Sequence, residues 1–145
     1  MKAIKTLAIF LYMLISIPVG AQQQYPPLFL PSPSSPPIAA FMAWHQSLLK
    51  GDFAEYKIAS FWLPDTKEDL KRQIFDQLRS TTPTIVKITD QKTNPNGSVR
   101  FYAVGCKDNL RLINVITAGN TDGAWRVATS GWGPPWNETG KLCPV

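Results

Sequence analysis

The stretch "TKEDLKRQIFDQLRSTTPTIVKIT", residues 66–89, changes its period partway along. Up to Ser80 the apolar residues Leu70, Ile74, Phe75 and Leu78 recur at helical intervals. That spacing stacks them on one face and leaves Lys67, Lys71, Arg72 and Arg79 alternating with Glu68, Asp69 and Asp76 on a solvated face. Asp65 and Glu68 have the spacing of a capping box and predict where this helix starts, and Pro83 predicts where it stops. Past Pro83 the period is that of strands, beginning with 85–89. A chain that is helical before this point and stranded after it is α+β, with N-terminal helices packed on one face of an antiparallel sheet.

Upstream, Ser35 can cap a helix that opens on Pro36 and Pro37, where a missing N–H costs little. Ile38, Phe41, Met42, His45, Leu48 and Leu49 then form its apolar stripe as far as Gly51, a C-terminal stop. Asp52 and Glu55 form a second capping box ahead of "FAEYKIASFW". Downstream, strands are expected at 98–107, 111–118 and 124–130, separated by the turn texts "NPNG", "DN" and "NTDG". Connections this short make a meander.

Strand parity sorts the side chains between faces. Val99, Phe101, Ala103 and Gly105 share one face, opposite Arg100, Tyr102, Val104 and Cys106; Trp125 and Val127 oppose Arg126, Ala128 and Ser130. The arginine faces are expected to be outer, which puts Trp125 in the core. Trp132 has the parity of Arg126 and starts on the outer face unless Gly131 breaks the register, and Trp136 follows two prolines into the tail.

The ends have their own signatures. Lys2 and Lys5, an apolar run from Leu7 to Val19 and the small residues up to Ala21 read as a signal peptide over 1–21, too short to span a bilayer. Residues 22–37 are a proline-rich linker, 38–132 the folded domain and 133–145 a C-terminal tail. Once the leader is removed the chain has thirteen basic and ten acidic residues and no stable membrane insertion is expected. Without a reader motif or a single-sign patch, the charge gives no sign of nucleic-acid binding. Export, to the periplasm or the medium, permits a disulfide, and Cys106 and Cys143 are the only cysteines available to form it. Such a bond would draw the tail back over the outer face. Too few histidines and cysteines are present for a zinc site, and no cofactor is implied.

The texts "IAAFMAWHQSLLKGDFAEYKIASF" and "DGAWRV", in this order, make residues 36–132 resemble the nuclear-transport-factor-2-like superfamily, in particular its small exported bacterial members. The resemblance implies a bent sheet wrapped around a long helix, a cone whose cavity members use for ligands, for catalysis or not at all. Its catalytic members, ketosteroid isomerase and the polyketide cyclases among them, place a carboxylate or histidine base inside the cone. None of their catalytic motifs is matched residue by residue here. His45, the single histidine, is the weak candidate for a base, with Tyr56 and Asn114 as partners, but its helical neighbours are all apolar and suit a core residue.

Three functional readings follow, the third being a purely structural role. The first is a non-enzymatic exported binding module for a protein partner, such as a toxin or an envelope complex, with Trp132, Trp136, Arg100, Tyr102 and Arg126 as an aromatic-basic surface. In the competing structural reading of the tryptophans, Trp132 and Trp136 cover apolar surface under the tail. The second function is a pocket protein that binds a small apolar ligand or runs an isomerase- or cyclase-like reaction with His45 as base.

Overall fold

A computed structural model describes residues 35–129, 131–134 and 143. The leader, the linker before Ser35 and Trp136 lie outside the described residues. The order is α1 (Pro36–Lys50), α2 (Phe53–Ala59), α3 (Glu68–Thr81), then β1 (Ile85–Thr93), β2 (Val99–Lys107), β3 (Leu110–Thr121) and β4 (Ala124–Thr129). The strands form one antiparallel sheet in the order β1-β2-β3-β4, as hairpin connections require. The helices pack on one face of it, so the fold is α+β.

The helix caps only partly follow the sequence reading. Asp52 accepts from the Glu55 N–H at 3.0 Å, but the Asp52 N–H donates to the Ser47 carbonyl, so the box is closed from one side only. Ser35 holds the N-cap position without a side-chain bond. The expected Asp65–Glu68 box does not form, because α3 begins at Glu68 with Lys67 as N-cap. Glu68 turns instead toward Lys57 of α2 and Lys71, tying the first turn of α3 to the end of α2.

The core lies between the helices and the inner sheet face. Phe41, Trp44 and Leu48 of α1 and Phe75 of α3 meet Val86, Phe101, Ile116 and Val127, all essentially inaccessible. Phe41 stacks on Phe101, and Phe75 sits against Phe53 and Tyr56. Trp44 and Ser47, which the α1 stripe omitted, are buried because α2 packs along that side of α1. The Trp44 indole N–H donates to the Ser60 hydroxyl at 3.1 Å, so this buried polar atom is satisfied. Leu70, expected in the α3 stripe, is 47% exposed, since only Phe75 and Leu78 of that helix face inward fully.

The sheet keeps the predicted parity, with β1 and β3 longer than expected and β2 and β4 close to their expected ranges. β1 runs on to Thr93 through a bulge at Thr89, whose hydroxyl donates to the Tyr102 carbonyl. β3 extends at both ends of its expected range. Trp125 is half-buried and packs against the core from the inner face.

Trp132 departs from the outer-face expectation. It is 6% exposed and belongs to the core. β3 and β4 pair Ile116 with Thr129, yet three residues further along β3 Ile113 exchanges both backbone hydrogen bonds with Gly133, at 2.8 and 3.1 Å. One extra residue therefore sits between Thr129 and Gly133, and a one-residue slip carries Trp132 from the outer face to the inner one. Gly131, at φ 102°, supplies the backbone conformation of this bulge. Trp132 then meets the His45 ring edge-on, with centroids 6.2 Å apart, and passes over Gly105.

Cys106 and Cys143 form the disulfide, with Cα atoms 5.9 Å apart. The Cys143 N–H donates to the Asn109 carbonyl at 3.4 Å, so Cys143 is held at the β2–β3 turn. No helix among the described residues is long and apolar enough to cross a membrane.

Candidate functional site

The outer sheet face is built in cross-strand rows. Lys92, Arg100, Thr117 and Ala128 make one row, and Asp90, Tyr102 and Val115 the next. Lys87 lies beside Val104, opposite Ile113, in the third row, and Arg126 stands on β4 opposite Gly119. Lys87, Asp90, Lys92, Arg100 and Ala128 are exposed, Tyr102 and Arg126 are half-buried, and Val115 is 44% exposed. The structure thus brings Arg100, Tyr102 and Arg126 onto one face and removes Trp132 from it. Arg126 donates to the Thr121 carbonyl at 3.1 Å, which braces it along the β3–β4 hairpin. The Asp90 carboxylate accepts from the Gln91 N–H at 2.8 Å.

At the other end of this face the disulfide buries Cys106 next to Arg111. The outer face is therefore polar and apolar by region: cations at the β1–β2 turn end, Tyr102 and Val115 in the middle, the disulfide at the far end.

His45 is fully buried on α1 between Phe41 and Trp132. Burial pushes its pKa from 6.5 to about 4, against a smaller opposing effect of its hydrogen bond with the Pro83 backbone, so the ring is neutral at physiological pH. Tyr56 is buried on α2. Its ring packs on Trp44, Phe53, Trp62 and Phe75, and burial raises its pKa more than a hydrogen bond with Ser60 lowers it. Asn114 faces inward on β3 and accepts from the Thr129 hydroxyl at 2.7 Å. Its amide nitrogen and the Trp132 indole nitrogen are buried with no hydrogen-bond partner among the described residues. The surroundings are close-packed, since a Cβ on Gly105 would stand 2.3 Å from Pro83 and 2.9 Å from Trp132. Among the described residues no group of His, Cys, Asp and Glu is placed to hold a metal ion.

A second exposed surface was not singled out in the sequence. Ile58 is 76% and Leu63 68% exposed, with Phe61 and Leu70 about half so, along the α2–α3 connection. Lys57 and Lys71 bracket Glu68 there, and the Lys57 hydrogen bond, with further help from Lys71 and Arg72, holds the Glu68 carboxyl below its ordinary range. The signal was available in the text "IASFWLP", whose apolar residues fit neither a helical stripe nor strand alternation.

No protein-family model, curated protein or solved structure matches the chain. The assignment of function therefore rests on the site itself.

Proposed function

We propose that this chain is an exported, non-enzymatic binding module that engages a protein partner, such as a toxin or an envelope complex, through the outer face of its sheet. The observation that carries the reading is the gathering of Arg100, Tyr102, Val115 and Arg126 on one face, with Arg100 and Val115 exposed. Tyrosine and arginine beside an accessible apolar residue are the composition of interface hot spots. Export is read from the leader, and a disulfide suits the oxidising periplasm or the medium. The order of helices and meander fits the nuclear-transport-factor-2-like plan, in which the inner side of a bent sheet wraps the helices. In this chain aromatic side chains fill that side.

Photo-crosslinking tests the reading. With benzoylphenylalanine at Tyr102, cells producing the exported chain should yield a covalent adduct with a protein, and the chain in it should begin at Gln22. Adducts obtained from position 63 but not from position 102 would move the site to the α2–α3 surface and reject the outer face.

A second reading, a small apolar ligand or an isomerase- or cyclase-like reaction at His45, is favoured by one observation: the unpartnered Asn114 and Trp132 nitrogens in the same buried region as His45. A screen of small apolar ligands by amide chemical shift would decide it. Shifts at His45, Asn114 and Trp132 would support a pocket; their absence leaves the three as core.

A further inference from the structure

Charge is segregated between the two layers of this fold. Residues 36–81, which make the helices and their connections, carry six basic and six acidic residues. Residues 82–134, which make the sheet, carry six basic and three acidic. Of those three acids, Asp108 and Asp122 sit in the turns that end β2 and β3, which leaves Asp90 as the one carboxylate on the outer face among the described residues. Against it stand Lys87, Lys92, Arg100 and Arg126. Asp90 is already engaged by the Gln91 N–H, and it lies in the row of Tyr102, between the rows of Lys87 and Lys92. The net charge of the described domain is thus concentrated on the side facing away from the helices.

Resting on the reading of this face as a protein-binding surface, we infer that the partner presents an acidic segment carrying apolar side chains. Carboxylates would meet Lys87, Lys92, Arg100 and Arg126, and an aromatic or aliphatic residue would lie on Tyr102 and Val115. Three features select a polypeptide over other polyanions. Lys92, Arg100 and Arg126 stand on one side of the Tyr102–Val115 row and Lys87 on the other, so the cations flank an apolar centre, which is how a protein interface is arranged, and do not form the continuous track that follows a phosphate backbone. Arg100 and Arg126 offer planar forks that suit carboxylates bidentately, with Arg126 already oriented by Thr121. The face is pleated sheet without a projecting apolar helix, so it lacks the element that inserts into a lipid surface. Like-charged partners are excluded by the same arrangement.

The test titrates the mature, disulfide-bonded chain with a glutamate-rich peptide carrying two phenylalanines, followed by amide chemical shifts. The shifts should centre on Lys92, Arg100, Tyr102 and Val115, and affinity should fall about tenfold between about 50 and about 300 mM salt. The double variant Lys92→Glu with Arg100→Glu should lose binding while keeping its amide spectrum elsewhere, because both side chains are exposed. Equal binding of a peptide with lysine in place of glutamate, shifts located elsewhere, or tighter binding of duplex DNA or phosphatidylglycerol vesicles would each overturn the inference. Crosslinking of a protein through position 102 together with no peptide binding would overturn the acidic assignment alone. No crosslinking from that position would remove the reading beneath it.

Discussion

At Gly105 the absence of a side chain is what lets three parts of the chain meet. Pro83, just after α3, and Trp132, just after β4, both close on its Cα from the inner face. Gly105→Ala would put a methyl group 2.3 Å from the Pro83 ring, and both that ring and the strand are fixed, so overpacking should cost about 1–3 kcal/mol, measured by urea unfolding. His45 lies next to the same contact through Trp132 and makes a different prediction. Its pKa falls from 6.5 to about 4 on folding, so between those values the unfolded chain holds a proton that the folded chain does not. Stability therefore rises with pH through this window; the advantage of the neutral ring is complete above pH 6.5 and is lost as pH falls through about 4. The loss is on the order of 3 kcal/mol. His45→Gln, similar in size and uncharged, should flatten that part of the pH profile. A profile for the variant parallel to that of the parent would assign the slope to carboxylates instead.

Elements were legible where local periodicity sets them, and less so where a partner decides. The helix-to-strand change at Pro83 is written in side-chain spacing, and both sides of it form as expected. The start of α3 was misplaced because Glu68 has a choice: a cap bond within its own helix, or Lys57 across the gap, and the second needs knowledge of how α2 and α3 pack. Trp132 was misplaced for a related reason. Parity counting holds only while register holds, and the bulge after Thr129 adds one residue that strand alternation does not reveal, with Gly131 as its sole local sign. Gly131→Val should therefore be costly, by about 1–3 kcal/mol, because a β-branched residue resists φ near 100°. The replacement should also red-shift Trp132 emission if the strand responds by losing the bulge. A stable variant with unshifted emission would show that the bulge is held by the Ile113–Gly133 bridge alone.

On the scale of the whole molecule, the candidate surface was half visible in advance. Arg100, Tyr102 and Arg126 could be placed on one face by counting along single strands, whereas Lys87, Lys92 and Val115 join them only through cross-strand register, which a single sequence does not contain. The disulfide was legible for the opposite reason: with two cysteines there is one pairing. Its geometry ties position 143 to β2 and to the Asn109 carbonyl, closing a loop across a sequence separation of 37. That loop contains β3, β4 and the bulge, so cross-linking it removes conformations of the unfolded chain that span half the sheet. Chain-entropy arguments value this at about 4 kcal/mol, a large fraction of the 5–15 kcal/mol typical of a domain. Cys143→Ser, or reduction of the parent chain, should lower stability by about that amount and steepen the denaturant slope, because the unlinked unfolded chain exposes more surface. It should act more strongly on β3–β4 than on α1, which lies outside the loop. Hydrogen exchange resolves the two: protection should fall first at Ile113 and Val127 and last at Phe41 and Leu48. Equal loss throughout would mean that the bond stabilises the fold as one cooperative unit and does not act preferentially on its C-terminal hairpin.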